Sequence, residues 1–206
     1  MTLTAVASVD TVVAMTTSDI RMRRWKRVEY ERLIDLGVFH PGERLELLDG
    51  VLVVREPQSP SHAVTIRAVE DALRRAFGAG WDVRGQLPIA LDDESEPEPD
   101  IAVVPGSYRE YRHEHPTGSV LVVEVSSASL AYDRRHKGSA YARAGIPEYW
   151  IVNRVNDVLE VYREPAASEA SPFGWAYSGV RSLGHGDVVT PLAAQAARIA
   201  VSDLLP

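Results

Sequence analysis

The hydrophobic positions of this chain repeat with two different periods, which predict helices and strands. Between residues 61 and 77, apolar side chains recur every three to four positions and share one face of a helix. Ser61 is the expected N-cap of that helix, and glycines follow its end. Similar spacing predicts two further helices, over 25–36 and 134–144.

Short runs of β-branched and leucine residues predict the strands. Asp49-Gly50 separates two such runs, 45–48 and 51–54, and suits the tight turn of a hairpin. Further strands are predicted at 84–91, 101–104, 120–125, 149–152 and 158–162, with short ones near Trp175, Val180 and Val188. The strand–helix–strand order from 120 to 152 predicts a right-handed crossover, and hence a parallel pair in a mixed sheet. Residues 193–205 fit either a strand or a helix.

The composition is that of a globular protein, with a formal net charge of −7 and a pI of about 5.4. We expect residues 1–20 to be a loose tail and residues 21–206 to form a single domain. No apolar run approaches the roughly 20 residues that span a bilayer, so no membrane association is expected. The absence of cysteine and of a basic secretory start fits a cytoplasmic protein.

Charge is distributed unevenly along the acidic chain. Residues 21–27 contain five basic side chains, which could contact phosphates or merely solubilise the start of a helix. Residues 92–98 are strongly acidic. For this second run, a solvated loop is the favoured interpretation over a role in collecting metal.

The candidate chemistry lies at the ends of apolar runs. Asp100 precedes one β-branched run and Glu124 lies within another, where a carboxylate is costly without a cation. Two carboxylates at neighbouring strand ends offer the oxygen ligands that Mg²⁺ or Mn²⁺ takes. Lys137 follows in the predicted helix and could orient a water molecule or offset phosphate charge.

Other polar residues have two interpretations each. Glu46 is expected to point inward from its strand, either as a third site carboxylate or in an ion pair at the hairpin edge. His62 lies on the apolar face of its helix, where a histidine at the edge of the core is favoured over a ligand. Lys137 shares a helix face with Asp133 and Tyr141, four residues away on either side. A solvated surface lysine is the usual outcome of this pattern, and a position near the strand ends is the other.

Taken in order, these motifs resemble one bacterial family. The segments that carry the resemblance are Leu45-Glu46-Leu47-Leu48-Asp49-Gly50, Ser61-His62, Pro99-Asp100, Glu124-Val125-Ser126-Ser127, Asp133 with Lys137 and Tyr141, and Gly145-Ile146-Pro147-Glu148-Tyr149-Trp150. From about Trp25 to the C-terminus the chain resembles the Uma-two family of restriction-type endonucleases, within the PD-(D/E)XK nuclease superfamily.

The resemblance implies roles for individual residues. Asp100 and Glu124 match the metal-binding acids, with the carbonyl of Val125 completing the coordination. Glu46 resembles an additional N-terminal acid that assists metal binding. The superfamily usually places its lysine two residues after the second acid, where this chain has Ser126. The matching lysine is Lys137, relocated to the following helix; Asp133, Tyr141 and His62 take supporting roles.

The resemblance also implies the fold and the reaction. We expect an α/β fold with a restriction-endonuclease-like core, in which helices flank a mixed sheet and further β hairpins are added. The expected reaction is Mg²⁺- or Mn²⁺-dependent hydrolysis of a nucleic-acid phosphodiester, with DNA as the expected substrate and a 5′-phosphate product. A homodimer is expected by analogy, because cutting two strands takes two sites. A catalytically silent nucleic-acid- or partner-binding module and a hydrolase of another phosphoester remain open.

Overall fold

The protein is described by a computed structural model that covers residues 22–55 and 57–206. The helices are α1 (Arg27–Asp35), α2 (Pro60–Phe77), α3 (Leu130–Tyr132) and α4 (Gly138–Arg143), with a π-helical turn (Asp133–Lys137) between the last two and 3₁₀ turns at Tyr108–Tyr111 and Val201–Asp203. The strands are β1 (Leu45–Leu48), β2 (Val51–Val54), β3 (Trp81–Gly85), β4 (Ile101–Pro105), β5 (Leu121–Ser126), β6 (Glu148–Asn153), β7 (Val158–Ala167), β8 (Trp175–Leu183), β9 (Val188–Val189) and β10 (Ile199–Ala200). The predicted tail lies outside the described residues, and the single domain over 21–206 stays a prediction.

Six strands form a mixed sheet in the order β3-β4-β5-β6-β7-β8. Strands β5 and β6 are its parallel pair, and all its other neighbours are antiparallel. The connection from β5 to β6 carries α3, the π-helical turn and α4, so the predicted parallel pair joined by a helical connection is confirmed. The α/β fold with a mixed sheet, flanking helices and additional hairpins is thus as expected. Along the described part of the chain, no helix is long and apolar enough to cross a membrane.

The alternation of side chains along β5 divides the core in two. Leu121, Val123 and Val125 pack with residues of α2 in one buried cluster. Val122 belongs to a second cluster on the opposite face, together with Tyr141 from the crossover helix. Glu124 has the same parity as Val122, so its carboxylate projects beneath the crossover helix.

Two predicted boundaries are wrong for local reasons. The strand predicted over 84–91 is β3, which ends at Gly85; Gln86 then has a positive φ of 53° and Pro88 lacks a donor for a ladder. The N-cap of α2 is Ser59 rather than Ser61, and its hydroxyl accepts the backbone N–H of His62. Pro60 occupies the first helical position, where its missing N–H costs nothing.

The other predicted elements also differ from the observed ones at their ends. Helix α1 begins at Arg27 instead of residue 25, and the helical crossover begins at Leu130 instead of residue 134. The strands expected near Trp175 and Val180 are one continuous strand, β8. The ambiguous segment 193–205 contains both a short strand, β10, and a 3₁₀ turn.

The acidic run at 92–98 is not a solvated loop. Leu47 and Glu96 exchange backbone hydrogen bonds, which attaches the run to β1, and Glu96 is buried. Basic side chains neutralise it: the Nζ atom of Lys26 lies 2.5 Å from Glu94, and Nη2 of Arg143 lies 2.8 Å from Asp92. The run is therefore a packed structural segment.

Glu96 carries a prediction about stability. Burial and the nearby carboxylate of Glu31 raise the pKa of Glu96 to about 8. The folded protein then keeps a proton that the unfolded chain releases above about pH 4.5, so this residue makes stability fall as pH rises between those values. We expect Glu96→Gln to increase the free energy of unfolding at pH 8 by about 1 kcal/mol and to change little at pH 4.5.

Urea denaturation at the two pH values measures this difference. Glu94→Gln is the matched control, because Glu94 lies on the same run but pairs with Lys26, and its removal should not stabilise the protein. An equal effect of Glu96→Gln at both pH values would show that the carboxyl does not titrate as described.

Candidate active site

Asp100 and Glu124 meet because β4 and β5 are antiparallel, so the beginning of one strand lies beside the end of the other. The backbone N–H of Val125 donates to Oδ2 of Asp100 at 2.8 Å, and the N–H of Asp100 donates to Oε2 of Glu124 at 3.4 Å. Both residues are buried, at 4% and 3% exposure. In a strand the N–H and C=O of one residue point to the same edge, so the Val125 carbonyl also lies on the Asp100 side.

Lys137 lies between two carboxylates contributed by different strands. Its Nζ atom is 2.9 Å from Oε1 of Glu124 and 3.3 Å from Oε2 of Glu46 on β1. The hydroxyl of Tyr141 donates to the same Oε1 atom of Glu124 at 2.7 Å. The carboxylate of Glu46 also accepts the backbone N–H of Glu98 at 3.2 Å. The predicted relocation of the lysine therefore matches the observed proximity, although its catalytic role stays a prediction.

The π-helical turn sets how the crossover helix enters the site. The N–H of Gly138 donates to the carbonyl of Asp133, five residues back. Asp133 and Lys137 are the first and last residues of this turn, and both are buried. The hydroxyls of Ser126 and Ser129 donate to Oδ2 of Asp133, the second at 2.7 Å. Ser126, at the usual lysine position, thus binds the first residue of the helical turn that places Lys137 beside Glu124.

Two residues flank Asp100 from the other side. The Nε2 atom of His62 lies 3.4 Å from Oδ2 of Asp100, so this histidine sits at the core edge but contacts a candidate ligand. Arg55, which the sequence analysis missed, places Nη1 2.5 Å from Oε2 of Glu98 and Nη2 3.6 Å from Oδ1 of Asp100. The available signal was that Arg55 directly follows an apolar strand, as Asp100 directly precedes one.

These side chains open onto one cavity of about 440 Å³. Of the candidate site residues, seven line it: Glu46, His62, Asp100, Glu124, Val125, Asp133 and Lys137. Tyr141 lies behind them and reaches the site through Glu124. The structure thus brings together residues that are up to 91 positions apart in the sequence.

Burial and neighbouring charges together shift the pKa values of Glu124, Lys137 and Asp100. Burial raises the pKa of Glu124 to about 8, although Lys137 lowers it, and the other site acids raise it further. Burial alone would lower the pKa of Lys137, but Glu124 and Glu46 hold it above its usual value, so the ammonium persists. Burial also raises the pKa of Asp100, yet hydrogen bonds from His62 and Val125 more than offset this and leave it lowered.

The donor set suits a hard divalent cation, even though the ligands are not yet gathered around one point. Within 22–55 and 57–206, no three His, Asp or Glu side chains stand together as a ready metal cluster. The ammonium of Lys137 occupies the space between Glu46 and Glu124, and Oδ2 of Asp100 is engaged by a backbone N–H. The carboxylates nevertheless outnumber the cations of the cavity. Burial is the main cause of the raised pKa of Glu124, and the neighbouring carboxylates add to it.

The basic residues at 23–27 lie away from this cavity and are already paired. Arg23 pairs with Glu29, Arg24 with Asp49, Lys26 with Glu94, and Arg27 with Glu31 and Glu96. This arrangement favours the structural interpretation of the cluster over phosphate binding. Arg21 lies outside the described residues.

Comparisons with known proteins bear on the fold and the family of this chain. A crystal structure described as that of "a putative nuclease belonging to DUF820" from Anabaena variabilis superimposes with a TM-score of 0.61. It covers 83% of this chain and 94% of its own, at 12% sequence identity, and therefore shows the fold. No curated protein matches the sequence. The family model Uma2, described as "Putative restriction endonuclease", matches residues 27–196 and supports a nuclease function. The resemblance inferred from the motifs is thereby confirmed, and the chain belongs to the Uma2 family.

Proposed function

We propose that this protein is a divalent-metal-dependent endonuclease that hydrolyses phosphodiester bonds of DNA in the cytoplasm. One observation carries the proposal: Asp100 and Glu124 meet at adjacent strand ends, with the ammonium of Lys137 2.9 Å from Glu124, in one cavity. Two acids and a lysine in such an arrangement are suited to phosphodiester hydrolysis. The family description supports a nuclease and leaves metal and substrate to be tested.

Asp100, Glu124 and the Val125 carbonyl would hold Mg²⁺ or Mn²⁺, assisted by Glu46. When bound, the ion would polarise the phosphate and lower the pKa of the attacking water. Each of these protein atoms is an oxygen donor of the kind that such ions prefer. Glu46 would bind the ion after its ion pair with Lys137 breaks. That ion pair is the longer of the two that the ammonium makes.

The remaining residues prepare this reaction. Lys137 keeps its proton and donates hydrogen bonds, so it orients the attacking water or stabilises charge on the phosphate. Tyr141 fixes Oε1 of Glu124 with its hydroxyl. Asp133, held by the hydroxyls of Ser126 and Ser129, positions the helical turn that delivers Lys137.

A cleavage assay tests the proposal. Supercoiled plasmid, linear duplex, single-stranded DNA and RNA are incubated with the protein in Mg²⁺ or Mn²⁺, and in EDTA. We expect cleavage of DNA that leaves 5′-phosphates, requires the metal and stops in EDTA. DNA binding without cleavage under every metal condition would instead identify a silent binding module, and hydrolysis only of small phosphoesters would identify the other hydrolase class.

Metal binding should depend on pH through Glu124. Because burial raises the pKa of Glu124 to about 8, a proton competes with the cation below that value. The apparent Mg²⁺ affinity should therefore increase by up to roughly tenfold per pH unit between pH 6 and pH 8. Isothermal titration calorimetry at both values measures it, and Glu124→Gln, which removes a ligand, should bind Mg²⁺ too weakly to measure at either pH. An affinity for the wild type that does not change with pH would contradict the assignment of Glu124 as a ligand.

Oligomeric state is part of the same proposal. Concerted cleavage of both DNA strands takes two active sites, so we expect a homodimer on the DNA. Analytical ultracentrifugation of the protein, alone and with a short duplex, measures this. A monomer that only nicks plasmid would restrict the proposal to single-strand cleavage.

A further inference from the structure

The cavity contains more acidic than basic charge before any substrate enters it. Its lining includes the carboxylates of Glu46, Asp100, Glu124 and Asp133. The ammonium of Lys137 is already engaged by Glu46 and Glu124. A phosphodiester brings one more negative charge. The two charges of a divalent ion at the proposed metal site would be balanced by Asp100 and Glu124, so binding of the phosphodiester benefits from a further cation.

Arg55 presents a guanidinium at the right place. Its backbone N–H donates to the carbonyl of Arg44 at 2.8 Å, which extends the β1–β2 pairing and fixes the base of the side chain. Nη1 donates to Oε2 of Glu98 at 2.5 Å, whereas Nη2 lies 3.6 Å from Oδ1 of Asp100. That second separation exceeds hydrogen-bond length, so Nη2 can take another acceptor.

The other basic groups are less suited to this contact. Among the described residues that line the cavity, Arg55 is the one guanidinium. Arg44 also approaches Glu98, at 3.8 Å, but its side chain is 40% exposed and does not line the cavity. Arg134 faces away and forms two hydrogen bonds with Glu160. The side chain of Arg55, by contrast, is 11% exposed and borders the candidate ligands.

We propose that Arg55 is the phosphate-binding residue of this site, with Nη2 donating to a non-bridging oxygen of the phosphodiester. The inference rests on the nuclease function proposed above. Glu98 holds the guanidinium through Nη1, as one arm of its planar fork, and leaves the other arm for the substrate. The two carboxylate oxygens of Asp100 face different partners. Oδ1 faces Arg55, whereas Oδ2 faces the Val125 N–H and His62.

If Arg55 binds the phosphate, its removal should affect DNA binding and Mn²⁺ binding differently. A merely structural role would weaken both. Removing the guanidinium takes away a substrate contact, and it also takes away a positive charge that repels a cation from Asp100. We expect Arg55→Met to weaken binding of a short phosphorothioate DNA duplex in Ca²⁺ at least tenfold, measured by fluorescence anisotropy. Mn²⁺ affinity measured by calorimetry in the absence of DNA should stay unchanged or increase a few-fold.

Arg55→Lys and Arg44→Met complete the experiment. Arg55→Lys keeps the charge near Glu98 and Asp100 but loses the fork, so it should bind the duplex several-fold more weakly than the wild type and retain its thermal stability. Arg44→Met removes the exposed neighbour at Glu98 and should stay within about twofold of the wild type in both assays.

The outcomes separate this inference from the function on which it rests. Wild-type duplex affinity in folded Arg55→Met or Arg55→Lys, with the wild type cleaving DNA, would overturn the assignment of Arg55 alone. Loss of duplex and Mn²⁺ binding together in both variants would also overturn it, in favour of a structural ion pair. A wild type that binds Mn²⁺ but neither binds nor cleaves DNA would refute the nuclease proposal, and this subsite with it.

Discussion

Asp100→Asn and Glu124→Gln should each reduce metal-dependent DNA cleavage by at least about a thousandfold, because each removes a charged oxygen ligand from the proposed metal site. Both variants should remain folded. Each substitution keeps the size of the side chain, and neutralising Glu124 also relieves a carboxyl whose pKa burial has raised to about 8.

The same variants have a readout that does not depend on activity. A cation that binds the folded protein raises its melting temperature, so Mg²⁺ or Mn²⁺ should stabilise the wild type. Asp100→Asn or Glu124→Gln should abolish most of that increment. Glu94→Gln is a matched control, since Glu94 lies six residues before Asp100, pairs with Lys26 and does not line the cavity. Equal metal-induced stabilisation of wild type, Asp100→Asn and Glu124→Gln would remove the basis for the metal site.

Lys137→Ala should have the second-largest effect, with cleavage reduced at least about a hundredfold and metal binding preserved. The ammonium donates to water or phosphate and ligates no cation, so its loss affects the chemical step. It also leaves the buried carboxylates of Glu46 and Glu124 without their partner, which costs on the order of 3 kcal/mol of stability. A bound cation can replace that charge, so Mn²⁺ should raise the melting temperature of Lys137→Ala more than that of the wild type.

Arg135→Ala is the control for this experiment. Arg135 lies two residues from Lys137 on the same helical turn, but its side chain is exposed. The Arg135→Ala variant should therefore cleave DNA at close to the wild-type rate. Single-turnover cleavage at saturating DNA compares the three proteins. If Lys137→Ala cleaves as fast as the wild type, the relocated lysine has no role in the reaction and the carboxylates work without it.

The sequence predicted the fold where the pattern was strong over several residues. Two apolar runs around Asp49-Gly50 specified the hairpin, and the order of β5, helix and β6 specified the parallel pair. Boundaries failed where one residue decided them. The positive φ of Gln86 ended β3 early, and Pro60 moved the cap of α2 to Ser59.

The candidate site shows the same contrast between local and long-range information. Asp100 and Glu124 were found because a carboxylate beside an apolar strand is conspicuous in the sequence. Burial of Glu124 followed from its parity with Val122, which is a local property of a strand. Arg55 was missed because its contacts, Glu98 and Asp100, lie more than 40 residues away and become neighbours only through the fold.

The acidic run at 92–98 was misread for a related reason. A charge-rich segment without apolar period resembles a solvated loop, and only the tertiary structure reveals Lys26 and Arg143 beside it. The π-helical turn at Asp133–Lys137 has no recognised sequence signal either. It replaces the regular helix expected there, and it buries the side chains of its first and last residues, Asp133 and Lys137.

Crystals grown with Mn²⁺ and recorded near the manganese absorption edge test the central claim most directly, because anomalous scattering locates the ion without assumptions about activity. We expect an anomalous peak between the carboxylates of Asp100 and Glu124 and beside the carbonyl of Val125, because oxygen ligands of this kind suit Mn²⁺. The peak should disappear in Glu124→Gln. Fully formed wild-type crystals without a peak at this position, or with manganese bound only elsewhere, would contradict the assignment of this cavity as a metal-dependent active site.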